Sequence, residues 1–129
     1  MCPIITKRTI AKNINLDRMV AVATEASEQC ERLTIPTILS PQKFDDLLKN
    51  WDNTRNLYYL SERDNTAIMP VFSERVAFLV GPEGGFAPEE IKKLNNFPVA
   101  YPINLGKRIL RAETACIASM VIWNQCVGW

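Results

Sequence analysis

Short apolar runs alternate along the chain with segments in which apolar residues recur every three or four positions. The runs at residues 57–60, 76–80 and 99–105 predict strands, and Ile4–Ile5 predicts a shorter one. The run at 76–80 is apolar throughout, which is typical of a parallel strand covered on both faces. The sequence therefore predicts at least four strands, some of them fully buried.

The helical pattern begins after Asn15, whose side chain can accept hydrogen bonds from the free amides of a first turn. The apolar residues that follow form one stripe: Leu16, Met19, Val20, Ala23, Ala26 and Cys30. Ser40-Pro41 predicts the start of a second helix, because proline suits the first helical position. The predicted buried face of this second helix comprises Phe44, Leu47 and Leu48.

Two more helices are predicted in the second half of the chain. Pro88 begins one of them, and Glu89 and Glu90 in its first turn are favoured by the helix dipole. The apolar segment 112–126 predicts the other. Strands that alternate with helices indicate an α/β fold with a mainly parallel sheet and helices on both faces.

Three remaining segments are less regular. Residues 33–39 are strand-like but contain Pro36, whereas 50–56 and 61–73 have the polar composition of loops, the second with a short apolar centre. No internal repeat or interdomain linker separates these segments. The 129 residues are therefore expected to form one domain.

The net charge and the cysteine and histidine content argue against two classes of function, nucleic-acid binding by charge alone and metal binding. The net charge of +1 argues against a domain that binds nucleic acid by charge alone, since such domains are plainly basic. The four cysteines have no CxxC spacing and the chain has no histidine, so no metal site is expected. Cys30, Cys116 and Cys126 fall in predicted helices, where we expect them to be small core residues of a protein in a reducing compartment.

The beginning of the chain is neither a signal peptide nor a membrane span. Its apolar stretch is short, its charges follow that stretch, and no run approaches the roughly 18 apolar residues that a span requires. These features predict a cytoplasmic protein. The apolar run at residues 2–5 starts without a preceding turn, which is typical of the middle of a fold and suggests an N-terminal truncation.

Two loops are candidates for chemistry. The first, Gly81-Pro82-Glu83-Gly84-Gly85-Phe86, directly follows the most apolar strand, where an α/β fold places its ligands. Its glycines permit a close approach of the backbone to a ligand, although an ordinary glycine turn explains them equally well. The loop lacks both the dinucleotide fingerprint and the phosphate-loop pattern.

The second loop runs from Leu105 through Gly106 to Arg111 and leads into the last helix. Lys107, Arg108 and Arg111 lie just before that helix, where the helix dipole disfavours cations. A bound ligand or an ion pair would explain this arrangement. A solvated cluster of charges is the alternative.

Together the two segments VGPEGGF and LGKRILRAETA resemble motifs of the ribosomal RNA small subunit methyltransferase E family, whose members methylate N3 of a uridine in 16S rRNA. Supporting resemblance extends through residues 2–9 and 23–36 to essentially the whole chain. In place of the family's Gly-Pro-Arg, this sequence has Gly106-Lys107-Arg108. The resemblance implies that the family's N-terminal RNA-binding β-barrel, and the first strand and helix of its catalytic domain, are missing from this chain.

The resemblance implies a SPOUT methyltransferase domain over residues 1–129, with a trefoil knot near its C-terminus that holds S-adenosylmethionine. Backbone groups near Leu60, Leu79, Leu105 and Ile109 would meet the adenine. Gly81 to Gly85 would line the methionine and ribose, while Leu110 and the start of the last helix would close the pocket. The implied cofactor residues are Leu60, Leu79, Gly81, Pro82, Glu83, Gly84, Gly85, Leu105, Gly106, Ile109, Leu110 and Thr114.

The resemblance also implies roles for charged residues. Arg111 would stabilise the uridine anion or hold a phosphate, and Glu113 would orient Arg111 or accept a proton. Arg8, Arg32 and Arg108 would contact RNA. Ordinary structural roles remain the alternatives. Arg32 would be a favourable cation at the C-terminal end of a helix, and Glu113 a favourable anion in the first turn of one. Thr114 would cap or pack.

The family usually forms homodimers through the last helix, which suggests Trp123, Val127 and Trp129 as interface residues; packing within the chain is the alternative. The implied partner is the small ribosomal subunit. Two other functions stay open: a truncated, catalytically incompetent remnant that binds cofactor and dimerises, and a related SPOUT enzyme that acts on tRNA.

Overall fold

The computed structural model describes residues 1–10, 13–61 and 72–128, and it divides the chain into two units, 1–50 and 51–129. The first unit contains strand β1 (Ile4–Ile5), helix α1 (Leu16–Gln29), strand β2 (Gln42–Lys43) and helix α2 (Phe44–Lys49). β1 and β2 pair in parallel, with Ile4 opposite Gln42. Most of the predicted loop at 61–73, including its apolar centre, lies outside the described residues, as does Trp129.

The second unit is built on a three-stranded parallel sheet. Its strands are β3 (Asn56–Leu60), β4 (Val76–Leu79) and β5 (Ala100–Ile103), in the order β4-β3-β5. Helix α3 (Pro88–Asn95) follows β4, and helix α4 (Ala112–Val127) follows β5. The prediction of parallel strands alternating with helices is confirmed.

Neighbouring residues of β3 show that the two helices cover opposite faces of this sheet. The Tyr58 ring belongs to a core cluster that includes Trp123 and Val127 of α4. The next residue, Tyr59, donates a hydrogen bond from its hydroxyl to Oδ1 of Asn95 in α3. Because successive side chains of a strand point to opposite faces, α3 and α4 lie on the two faces.

The amino ends of β3 and β4 are joined by their own polar contacts. Arg55 Nε donates to the carbonyl of Val76 at 2.8 Å, and Arg75 pairs with Asp52 at 3.3 Å. Hydrogen bonds from the side chain and backbone of Thr54 hold the pKa of Asp52 below its ordinary value. The amino ends of β3 and β4 are thus held together by hydrogen bonds and an ion pair between nearby residues.

Helix α1 confirms its predicted cap, since the Asn15 side chain accepts a hydrogen bond from the Arg18 amide at 2.9 Å. The predicted apolar stripe is only partly correct. Leu16, Met19 and Ala23 are partly buried, whereas Val20, Ala26 and Cys30 are exposed. The inward face is completed by Ser27, whose hydroxyl bonds to the Ala23 carbonyl within the helix and so needs no outside partner.

Three other predictions about local structure are wrong. Residues 33–39 form no strand, and the second helix begins at Phe44 rather than at Ser40-Pro41. Its predicted face survives, with Phe44 and Leu47 buried and Leu48 partly buried. Cys30, Cys116 and Cys126 are exposed free thiols rather than core residues, because Cys30 follows the end of α1 and the other two lie outside the packed face of α4.

Helix α4 packs through one face. Its buried residues are Ala115 and Ser119, and Ile122, Trp123 and Val127 pack against the sheet cluster. The Trp123 indole also donates to the carbonyl of Ser73 at 3.0 Å. Trp123 and Val127 therefore belong to the intrachain core, and the interface role predicted for their side chains is not supported. No described helix is long and apolar enough to cross a membrane.

Candidate functional site

The two glycine-bearing loops leave the same edge of the second unit's sheet. The segment after β4 contains Gly81–Gly85, and the segment after β5 contains Gly106–Arg111. β3 lies between these strands and all three are parallel, so their carboxyl ends share one edge. Leu60, Leu79 and Leu105 mark those ends. The predicted clustering of the two loops thus follows from the strand order.

The first loop is shaped by two glycines that differ in function. A Cβ atom placed on Gly81 would lie 3.2 Å from the ring of Phe86, so the ring packs onto the bare backbone of Gly81. Gly85 has a φ of +66°, and its amide donates to the carbonyl of Pro82 at 2.7 Å. Phe86 is only 8% exposed. The loop therefore folds back tightly and closes over its own first residue.

Helix α3 begins directly after this loop and fixes its far end. Pro88 occupies the predicted first helical position, where its lack of an amide hydrogen costs nothing. The Glu90 side chain, which is 3% exposed, accepts a hydrogen bond from the Ala87 amide at 2.8 Å. The sequence pattern indicated only a favourable charge for Glu90. Its position at the third residue of the helix also fits half of a capping box.

The second loop is open and positively charged. Gly106 donates from its amide to the side chain of Asn104 at 2.8 Å, and Lys107, Arg108 and Ile109 are exposed. Leu105 packs against the sheet cluster. The loop thus combines an apolar anchor with side chains that project into solvent.

Arg111 and Glu113 meet at the start of α4. Arg111 is the residue before the helix and Glu113 lies in its first turn, with Nη1 and Oε1 3.9 Å apart. Both side chains are more than two-thirds exposed, so this pair holds neither firmly. Leu110 is partly buried and Thr114 is exposed. The Arg111 guanidinium can therefore turn toward an anion at the sheet edge.

Cys116 lies close to this pair. Desolvation raises the pKa of its thiol, and the negative charge of Glu113 raises that pKa further. The thiol is therefore protonated at neutral pH, and its nucleophilicity is low. A role as an attacking group is not indicated.

The two remaining predicted RNA contacts lie in the first unit. Arg8 occupies a turn in which the Thr9 hydroxyl bonds to the Thr6 amide at 2.9 Å. Arg32 follows α1, and its amide donates to the Ser27 carbonyl at 2.9 Å. Both residues are exposed. Among the described residues, no group of acidic, cysteine and histidine side chains has the arrangement of a metal site.

The fold and this edge define a parallel α/β domain with glycine-bearing loops gathered around the end of its central strand. A family model described as an RNA methyltransferase domain matches residues 1–124, and the chain belongs to that family. A ribosomal RNA small subunit methyltransferase E from Rickettsia conorii is 34% identical, over 92% of this chain and 50% of that protein. The chain spans about half the length of the curated relatives it matches.

Solved structures agree with this assignment. A ribosomal RNA small subunit methyltransferase E from Neisseria gonorrhoeae, bound to S-adenosyl methionine, has a TM-score of 0.86 and 28% identity, covering 95% of this chain and 53% of that one. A Legionella pneumophila methyltransferase in complex with the same cofactor has a TM-score of 0.80 and 29% identity, covering 96% and 54%. The predicted family is thus confirmed.

The conformation of Gly85 leads to a stability prediction. Alanine at this φ costs about 1–2 kcal/mol, whereas asparagine tolerates the left-handed region better. We expect Gly85→Ala to lower the free energy of unfolding by that amount and Gly85→Asn to lower it less. All three tryptophans fall in the second unit, so tryptophan fluorescence during urea unfolding reports on it. Equal losses for the two variants would contradict the assigned backbone conformation.

Proposed function

We propose that this chain binds S-adenosylmethionine at the carboxyl edge of the β4-β3-β5 sheet. The observation that carries the proposal is that residues 81–85 and 105–111 follow β4 and β5, the two strands that flank β3. The solved relatives that contain this cofactor support it. The knotted path of the SPOUT fold, which the family resemblance implies, is part of the same proposal.

The proposed pocket uses the residues that the family resemblance implied. Backbone groups near the strand ends contact the adenine, because a peptide offers a donor and an acceptor at fixed spacing. The bare backbone at Gly81, together with Pro82, Glu83, Gly84 and Gly85, lines the methionine and ribose. Gly106, Ile109, Leu110 and Thr114 enclose the other side.

The proposed reaction is transfer of the cofactor's methyl group to N3 of a uridine in 16S rRNA. The sulfonium is a good leaving group, so the chain's task is to align the nucleophile and exclude water. Removal of the N3 proton leaves an anion, which the permanently charged guanidinium of Arg111 stabilises. Glu113, 3.9 Å from Arg111, orients that guanidinium or accepts the proton. Arg8, Arg32 and Arg108 supply phosphate contacts.

A homodimer through α4 is proposed as well, but through a different face from the one first expected. Ile117, Met120 and Val121 of α4 are 65%, 50% and 49% exposed and are not among the residues that pack against the sheet. Three large apolar side chains in adjacent helical positions are typical of an interface.

Cofactor binding is tested by calorimetric titration with S-adenosylhomocysteine. We expect saturable binding to the wild-type chain and weaker binding to Ile109→Ala, because the Ile109 side chain helps to enclose the proposed pocket. Ile35→Ala is the matched control, since Ile35 is also an exposed isoleucine but belongs to the first unit. Absence of heat with the wild-type chain would refute the proposed pocket.

Catalysis is tested with radiolabelled cofactor, unmethylated small ribosomal subunits and purified tRNA. We expect transfer to the subunits, with 3-methyluridine as the product. Arg111→Ala should lower kcat by about 10²–10³ while cofactor affinity is retained, as for other removed anion-stabilising donors. Arg75→Ala, another exposed arginine of the same unit, is the control.

The rival functions give different results in this assay. Transfer to tRNA alone would identify the related tRNA enzyme. Cofactor binding without transfer to either RNA would identify the catalytically incompetent remnant.

The interface is tested by sedimentation. A charge placed in the exposed apolar face of α4, as in Ile117→Lys, should convert a wild-type dimer to monomer. Val22→Lys, at an exposed valine of α1, should leave the dimer intact. A monomeric wild-type chain at micromolar concentration would rule out the proposed interface.

A further inference from the structure

The buried carboxyl group of Glu90 is not used by the proposed cofactor pocket or by the reaction. It is 3% exposed, and its Oε2 atom lies 2.8 Å from the amide nitrogen of Ala87, which is itself 5% exposed. Removing a carboxyl group from water is costly unless hydrogen bonds replace the lost hydration. The hydrogen bond from the Ala87 amide replaces part of the hydration that the Glu90 carboxyl group loses on burial.

Ala87 joins the loop at 81–86, called here the glycine loop, to helix α3. Its carbonyl accepts hydrogen bonds from the amides of Glu90 and Ile91, at 2.9 and 3.0 Å. Its amide is the one held by the Glu90 side chain. Alanine offers no side-chain acceptor for a capping box, so Glu90 completes only the half of that motif that restrains the residue before the helix. Both polar groups of Ala87 are thus fixed by α3.

The restraint at Ala87 extends to the beginning of the loop through Phe86. Phe86 directly precedes Ala87, and its ring is in close contact with the Gly81 backbone. The ring is also buried, so it cannot move without opening the packing around it. The chain from Glu90 through Ala87 and Phe86 to Gly81 is therefore a continuous series of close contacts that ends in the proposed cofactor loop.

We propose that Glu90 is a positioning residue for the loop at 81–85. It touches no ligand, and it holds the loop in the conformation that receives the methyl donor. This inference rests on the proposed function for its consequence, because the loop's conformation matters for activity only if the loop binds the methyl donor. The role is distinct from the favourable charge that any acidic residue provides in a first turn, since Glu89 in the same turn is exposed.

The test compares Glu90→Ala with Glu89→Ala in titrations with S-adenosylhomocysteine, well below the unfolding midpoint of each variant. Loss of the cap should weaken binding about fivefold to tenfold in Glu90→Ala, from the usual strength of such caps. Glu90→Gln retains an acceptor oxygen of the same reach and should recover most of the affinity. Glu89→Ala should bind like the wild-type chain.

A general loss of stability is separated from positioning by Tyr59→Phe. This variant removes the hydrogen bond between Tyr59 and Asn95 at the other end of α3, and it should lower the thermal midpoint without altering affinity. Equal weakening of binding in Tyr59→Phe and Glu90→Ala would overturn the proposal. So would a Glu90→Ala variant with wild-type affinity.

Amide hydrogen exchange supplies a readout that needs no cofactor. We expect exchange across residues 81–87 to accelerate about tenfold in Glu90→Ala, because opening of the loop no longer requires breaking the cap. Exchange in Glu89→Ala should be unchanged. If the wild-type chain binds no S-adenosylhomocysteine, the proposed function fails, while unchanged exchange in Glu90→Ala would separately refute the control of the loop by Glu90.

Discussion

The pairing of β3 with a parallel strand on each side is the constraint on which the second unit depends. Leu57 lies opposite both Ala77 and Ala100, and Tyr58 lies opposite both Phe78 and Tyr101. Because the hydrogen-bonded register fixes where each strand ends, it also fixes where the following loop begins. The loops at 81–86 and 105–111 are neighbours through this register, although α3 and β5 separate them in the sequence.

The same pairing explains why the two faces of the sheet are packed by different residues. On one face, Tyr58 packs edge-on against Phe72, with ring centres 4.9 Å apart, and α4 closes this cluster. On the other face, α3 provides the fully buried Leu94 and the side-chain oxygen of Asn95, which accepts a hydrogen bond from the Tyr59 hydroxyl. Helix α4 therefore runs from the carboxyl edge of the sheet to the aromatic cluster, whereas α3 runs away from the loop at 81–86 and is held by hydrogen bonds at both ends.

The sequence was most informative where local and long-range requirements agreed. The run at 76–80, the Pro88 start and the Asn15 cap each have a physical cause within a few residues, and each is found in the structure. The faces of α1 and α4 were less predictable, because their apolar residues cover a wider arc than either helix buries. The exposed cysteines and the inward Trp123 follow from that excess, since periodicity alone cannot choose which part of an apolar arc will pack.

The parallel arrangement also has a consequence for how the second unit reaches its folded state. Each strand must find a partner across a long intervening segment, as Leu57 does with Ala100, and no hairpin can bring these partners together early. Chains with such distant contacts lose conformational entropy in closing long loops before the contacts can stabilise them. They therefore fold slowly compared with helical bundles of similar size. During synthesis, β3 and β4 emerge from the ribosome before β5, so the edge of β3 that β5 will cover stays unpaired until the last quarter of the chain is available.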